Sequence, residues 1–242
     1  PAFPKSNLVN AGLYLMDRHI FDYINRIEKS PRGEYEITDA LRLLIKDAEL
    51  HAFVLNKWVS TSYPWDVLDV NKIILDEFGT QIANDVDIRP GAYIEYPVAI
   101  GSGSVIGPNC FIRRYSSIGK NCKVGQAVEI KNSIIMDNTF VSHLSFVGDS
   151  IIGRNCNIAA GTTFANLRLD EKNVAMSING HIVDSGHKKL GAVVGEGVKF
   201  GTGVTIMPGK KIWPNLLVPP RTIVKKDLTE QPDMKKWTND GE

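Results

Sequence analysis

The sequence is poor in the features that announce most functions. It holds three cysteines in 242 residues, Cys110, Cys122 and Cys156, widely spaced and without a Cys-x-x-Cys pair. An odd, scattered set indicates neither a disulfide framework nor a zinc site; the three read as small apolar residues in a reducing compartment. Neither sign of charge dominates, because 28 Lys and Arg against 27 Asp and Glu leave a formal charge of +1. No bulk field therefore favours nucleic acid or an anionic membrane, and any anion must be gripped locally. No apolar run nears the roughly 20 residues that span a bilayer, and no basic, apolar, small-residue leader opens the chain. The cytoplasm is the expected location. The first residue is Pro1 rather than methionine, and the opening reads as the middle of a longer protein.

What the chain does have is a period. An aliphatic residue recurs at every sixth position from Ile82 through Ile88, Ile94, Ile100, Ile106, Ile112, Ile118 and Val124 to Ile130. The frame slips by one at Ile135, runs through Val141 and Val147, slips again at Ile152, and continues to Ile158 and Phe164. A last run takes Val194, Phe200, Ile206, Ile212, Val218 and Val224. Six fits neither the 3.6 of an amphipathic helix nor the alternation of a half-buried strand, but it fits a coil whose every flat side uses six residues. Glycine often follows the aliphatic position, as at Gly101, Gly107 and Gly125, where a tight corner leaves little room for a Cβ. The period predicts a mainly β chain, with a left-handed parallel β-helix of hexapeptide repeats over residues 81–228. Each coil then covers the apolar row of the one below. Residues from about 167 to 191 lose the period and read as a projecting loop; residues 229–242 read as a charged, fraying tail.

Residues 1–80 differ. Ile20–Ile24 and Leu41–Ile45 carry helical spacing, with Thr38 and Asp39 placed to cap the second. Leu13–Leu15 and His51–Leu55 read as extended pieces, so the stretch is expected to be α/β.

Asn10-Ala11-Gly12-Leu13-Tyr14, Gly33-Glu34-Tyr35-Glu36-Ile37-Thr38-Asp39 and Trp65-Asp66 resemble the end of a sugar-1-phosphate nucleotidylyltransferase domain, a Rossmann-like α/β fold. Hexapeptide repeats commonly follow that domain. The whole chain is similar to the later part of the bifunctional enzymes of UDP-N-acetylglucosamine synthesis, a uridylyltransferase joined to a glucosamine-1-phosphate acetyltransferase. The loop with Ser185-Gly186-His187-Lys188-Lys189-Leu190-Gly191 brings it nearer the archaeal branch. The resemblance puts Asn10 and Glu34 at sugar-contacting positions and Asp66 at one side of a catalytic Mg²⁺. The glycine-rich Gly-x-Gly-Thr-Arg segment that cradles nucleotide phosphates is absent, so Mg²⁺ and nucleotidyl transfer are not expected of these residues alone.

Ser142-His143-Leu144-Ser145-Phe146-Val147-Gly148-Asp149 matches the acetyltransferase motif Gly-His-Leu-Ser-Tyr-Leu-Gly-Asp. His143 falls on its histidine, two places past the inward Val141, so its ring is expected to face a neighbour or ligand. A hexosamine 1-phosphate carries an ammonium that must lose a proton before it attacks a thioester, and an imidazole can take it. By the same resemblance Arg113 and Lys131 hold the sugar phosphate, Asn157 bonds the sugar, and Asn166 and Lys172 reach the substrate across a subunit boundary. Ala160 and Thr202 line the channel for acetyl-coenzyme A. Phe146 and Leu167 stand where the family has tyrosines, so weaker acceptor binding or a broader acceptor range is expected. The resemblance implies a homotrimer that moves the acetyl group of acetyl-CoA to the amine of glucosamine 1-phosphate or galactosamine 1-phosphate, with no nucleic-acid or membrane partner.

Other readings stand beside it. The β-helix can serve as an oligomerisation scaffold for a nucleotidylyltransferase using UTP or dTTP, and the acceptor can be another amine, such as a 4-amino sugar nucleotide or serine. A carbonic-anhydrase-like metal site needs three converging histidines, whereas His19 and His51 lie early in the chain and His181 and His187 lie in the loop.

Overall fold

A computed structural model describes residues 6–234, and its chain divides into two compact units between Ser60 and Thr61. The second unit holds three parallel sheets of seven strands each. The first face includes the strands Gln81–Ile82 and Ile134–Ile135, the second Asp87–Ile88 and Phe140–Val141, the third Tyr93–Ile94 and Phe146–Gly148. Consecutive strands fall on successive faces and pair one full coil away, Ile100 with Ile118, Ile106 with Val124 and Ile112 with Ile130. The chain is thus a β-helix, and the six-residue row is its core. From Ile100 onward the inward residues of all three runs are buried in one cluster. Each fully buried aliphatic contributes about 1.5 to 3 kcal/mol of burial free energy, so the stack outweighs the poor intrinsic strength of two-residue strands. In the first coil, Ile88 is exposed.

A second row of period six satisfies the corners. Ser104 Oγ donates to the Gly119 carbonyl at 2.8 Å, Cys110 Sγ to Gly125 at 2.7 Å, Cys122 Sγ to Met136 at 3.2 Å and Cys156 Sγ to Gly195 at 3.2 Å. The cysteines are therefore small buried donors in a serine-like position, and burial pushes all three thiols up. Corner residues in left-handed conformation recur at the same spacing, many of them asparagine, such as Asn109, Asn121 and Asn155 with φ of 54°, 53° and 57°.

The slips in the period have a location. Ile118 pairs with Ile135 and Ile135 with Ile152, seventeen residues apart, where Ile100 and Ile118 are eighteen apart. The missing residue is lost between the third and first faces, from Ile130 to Ile135 and again from Val147 to Ile152. The loop expected at 167–191 leaves from the same corner. It carries an antiparallel hairpin, Ala175–Ile178 with His181–Asp184.

Three helices complete the described chain: α1 (Ile20–Ile24), α2 (Ile37–Asp47) and α3 (Asp66–Phe78). The sequence reading passed over α3. Its Leu68, with Trp65 just ahead of it, packs with Val174, Met176 and Leu190 of the loop and with Ile151 of the first face. His187 Nε2 lies 3.3 Å from Asp69 Oδ2, Asn71 donates to the Tyr115 carbonyl at 2.8 Å, and Ser117 Oγ donates to Asn71 at 2.6 Å. Helix and hairpin together cover the first face.

In the first unit, α1 and α2 stand where helical spacing placed them. The cap does not: α2 starts at Ile37, its N-cap Glu36 makes no side-chain capping bond, and Asp39 sits inside the first turn, 2.7 Å from Arg42. Leu13–Leu15 and His51–Leu55 form no strand, and no described strand lies within this unit to pair with them. Only Ile20 and Ala40 are buried among residues 6–60. The tail also departs from expectation. Leu228 bridges to Ile212, and past it the Gln231 side chain both accepts from the Leu217 N–H and donates to its carbonyl, each at 2.9 Å, so side-chain bonding ties the start of the tail to the coil. Residues 235–242 lie outside the described residues.

Candidate functional site

The corner between the second and third faces is a regular column. The Gly161 N–H bonds the His143 carbonyl and the Gly203 N–H bonds the Ala160 carbonyl, each at 2.9 Å, while the Arg221 N–H bonds the Thr202 carbonyl at 2.8 Å. His143, Ala160 and Thr202 are thereby stacked along one edge of the third face. His143 is exposed, as its place off the inward row predicts. The Gln126 N–H donates to its Nδ1 at 3.3 Å, which puts the neutral ring's own proton on Nε2. Gly125 makes room for it: a Cβ there would lie 3.1 Å from the His143 nitrogen and 3.3 Å from Nδ1.

The opposite edge of the third face is its corner with the first face, where the period slips. Arg113 is held between Glu95 at 3.6 Å and Glu129 at 3.3 Å, with its guanidinium 5.4 Å from the Phe111 ring centre. One coil further, Lys131 Nζ is 2.8 Å from Asp149 Oδ2. Asp149 is buried and accepts three side chains, Lys131, Asn132 at 2.8 Å and Asn166. A buried carboxylate without such donors would be strongly unfavourable. Gly148 is required here, since a Cβ would lie 2.6 Å from both Asn166 Nδ2 and Phe146 Cζ.

Between the two edges, Phe146 points outward, in line with Glu129 of the coil before and Thr163 of the coil after. One face thus carries an imidazole at one edge, a ring in the middle and an Arg–Lys–Asn set at the other. Asn157 is not on it; it faces outward from the second face, paired with Phe140 and Lys199. Lys172 is elsewhere too, lining a cleft of about 580 Å³ on the loop with Arg168, Glu171 and Lys188. In that loop the Arg168 guanidinium, 2.6 Å away, holds Asp170 down at about 2.

The N-terminal candidates form no site in the described chain. Asn10 bonds the Tyr14 hydroxyl at 2.6 Å and the Gly12 N–H at 2.9 Å, and Glu34 is exposed. Asp66 Oδ2 accepts the Ser62 and Tyr63 N–H groups at 2.7 and 2.8 Å, which ties down the start of α3. A hard divalent cation takes six or more oxygens, and among the described residues no three His, Cys, Asp or Glu converge. Asp66 offers one carboxylate here, and its Oδ2 is already engaged by two backbone N–H groups. Also among the described residues, no helix is long and apolar enough to cross a membrane.

A second cleft, of about 390 Å³, opens beside Arg113 and Lys131 and is lined also by Lys72, Glu95, Arg114, Tyr115 and Asn132. Lys72 of α3 and Arg114 were not among the sequence candidates. Lys72 was invisible because the helix was, although Leu68 and Leu75 are a helical repeat apart.

Comparison with known proteins agrees with this architecture. The chain is 41% identical over 94% of its length to a bifunctional sugar-1-phosphate nucleotidylyltransferase/acetyltransferase of Sulfurisphaera tokodaii, covering 61% of that protein. It is 40% identical, again over 94% of its length, to the bifunctional protein GlmU of Methanocaldococcus jannaschii, covering 60% of it. The chain therefore spans about three-fifths of the length of these curated relatives. A solved N-acyltransferase from Bacillus cereus, a mutant of AntD in complex with dTDP and coenzyme A, is 15% identical and is matched over 66% of this chain and 81% of its own, with a TM-score of 0.35. The family model described as Nucleotidyl transferase matches residues 1–77, and the one described as GMPPB C-terminal domain matches residues 94–226, more than half of the chain. The repeats, the three-faced coil they build and that match place the protein in one family: it belongs to that of the GMPPB C-terminal domain.

Proposed function

We propose that the β-helix transfers the acetyl group of acetyl-CoA to the amine of a hexosamine 1-phosphate, glucosamine 1-phosphate above galactosamine 1-phosphate. The observation that carries this is the third face, with His143 at one edge and Arg113 and Lys131 at the other. Amine and phosphate sit on neighbouring carbons of this sugar, so side chains from both edges must reach inward over the face to meet them. The pyranose lies over Phe146, its phosphate toward Arg113 and Lys131. Arg offers two parallel donors to phosphate oxygens and Lys a point charge. Asn166 bonds the sugar from the same edge. The pantetheine arm runs along the column of His143, Ala160 and Thr202, where short side chains leave room.

His143 takes a proton from the ammonium, the freed nitrogen attacks the thioester carbonyl, a backbone N–H steadies the oxyanion, and the C–S bond breaks as the second proton of the attacking nitrogen passes to sulfur, releasing the amide and coenzyme A as the thiol. For the ring to act as base, a lone pair must face the amine. Substrate entry must therefore displace the long Gln126 contact from Nδ1 or move the ring proton off Nε2. No covalent acyl-enzyme is needed, and the cysteines are unsuited to one, being buried with raised thiols.

We take the working form to be a cytoplasmic homotrimer, with the acetyl-CoA groove between copies, where Asn157 and the loop residue Lys172 of an adjacent subunit reach the substrate. Residues 1–80 belong, in this reading, to the end of a sugar-1-phosphate nucleotidylyltransferase domain. The test is release of free thiol from acetyl-CoA with glucosamine 1-phosphate or galactosamine 1-phosphate, in wild type and His143→Ala. The expected loss in the variant is roughly 10²- to 10⁴-fold in kcat. Equal turnover removes His143 from the chemistry, and no turnover in the wild type favours a scaffold role for the coil.

A further inference from the structure

The cleft beside Arg113 sorts its polar groups into committed and free. Arg113 is shared by Glu95 and Glu129. Lys131 and Asn132 are both bound to Asp149. The Tyr115 hydroxyl is bonded to Asp76, which firms its hold on the proton. Two cations in the lining remain, Lys72 and Arg114, and neither has a carboxylate within 4.0 Å among the described residues. Lys72 is nonetheless held in place: its Nζ sits 5.1 Å from the centre of the Tyr115 ring, and the neighbouring Asn71 bonds the Tyr115 carbonyl and the Ser117 hydroxyl. Helix α3 is thus fastened to the corner in a way that delivers an unpaired ammonium to the edge of the cleft, next to an unpaired guanidinium on the coil.

An incoming phosphate dianion competes with carboxylates for Arg113 and Lys131, and it meets no such competition at donors that have no carboxylate partner. Breaking the Lys131–Asp149 pair would leave a buried carboxylate short of a partner, which is strongly unfavourable. Free donors carry no such penalty, and an Arg with a Lys supplies both the two-pronged and the point-charge contact that a phosphate monoester accepts. We propose that Lys72 and Arg114 add direct contacts to the acceptor's phosphate group beside those of Arg113 and Lys131, so that α3 is part of the acceptor site. The inference rests on the acceptor reading above. It makes the phosphate, and not the sugar ring, the group that selects the acceptor through these two residues.

The experiment uses the full chain with Lys72→Gln, Arg114→Gln and, as a charge control, Lys46→Gln in α2 of the first unit. Acetyl transfer is measured with glucosamine 1-phosphate and with unphosphorylated glucosamine. Binding of inorganic phosphate is followed separately by calorimetry. KM for glucosamine 1-phosphate should rise roughly tenfold in each of the two cleft variants, a loss typical of one hydrogen bond to a charged group, with kcat and the glucosamine reaction unchanged and Lys46→Gln like wild type. Phosphate binding should weaken in parallel. If transfer is absent altogether but phosphate binding is lost in the two variants, the phosphate site stands and the acetyltransferase reading falls. An unchanged KM and unchanged phosphate binding in both variants would overturn the proposal.

Discussion

The two edges of the third face are built on opposite plans. At the edge with His143, Ala160 and Thr202 the period of six is unbroken, backbone amides stack coil on coil, and the side chains are left open. At the edge with Arg113, Lys131 and Asn166 two coils are a residue short, the loop departs, and nearly every side chain is tied to a carboxylate. A regular column suits a long, flexible substrate that slides along it, and a locked ionic corner suits a charged end group that must be met by donors already in place. The difference also shows where a repeat protein admits chemistry. Deleting one residue changes only the corner and leaves the inward row intact, as Ile130, Ile135, Val147 and Ile152 all remain buried.

Breaking the locked corner should do the most damage. Asp149→Ala removes the acceptor shared by Lys131, Asn132 and Asn166, and the loss of a buried ion-pair partner typically destabilises by about 3 kcal/mol. Chemical denaturation should show that drop, together with loss of acetyl transfer. A wild-type midpoint would mean that the corner is not held by this carboxylate. The smaller expected effect is at the middle of the face, and it sharpens the contrast from the substrate's side. Phe146→Tyr restores a hydroxyl between the edges, and KM for glucosamine 1-phosphate should fall about fivefold for one added hydrogen bond, with stability unchanged. If KM rises instead, the ring does not lie under the sugar.

The coil and its core were legible in the sequence because the same packing problem is solved once per six residues, so each inward Ile or Val repeats the evidence of the last. The slips at Ile135 and Ile152 were legible too, but not their meaning: that both fall on the corner of Lys131 and Asp149 requires knowing which face follows which. A motif and its spacing single out His143, Ala160 and Thr202, and the coil stacks them in one column. Arg113, Lys131 and Asn166 were found the same way, whereas their carboxylate partners come from other coils and leave no local pattern. Helix α3 leaves no clear stripe in the sequence because its apolar residues fall all round it, with Leu68 and Leu75 buried but Val67, Ile73, Ile74 and Phe78 exposed. Lys72 is hidden with it. The extended pieces of the first unit were over-read, since a run such as Phe53-Val54-Leu55 predicts a strand only where a partner strand exists.

The most direct test of the account is a crystal structure of the chain with glucosamine 1-phosphate bound. The sugar should span the third face, its amine beside the His143 imidazole and its phosphate at the corner of Arg113, Arg114 and Lys72. Electron density placing the sugar on the second face beside Asn157, or with its amine turned away from His143, would contradict it.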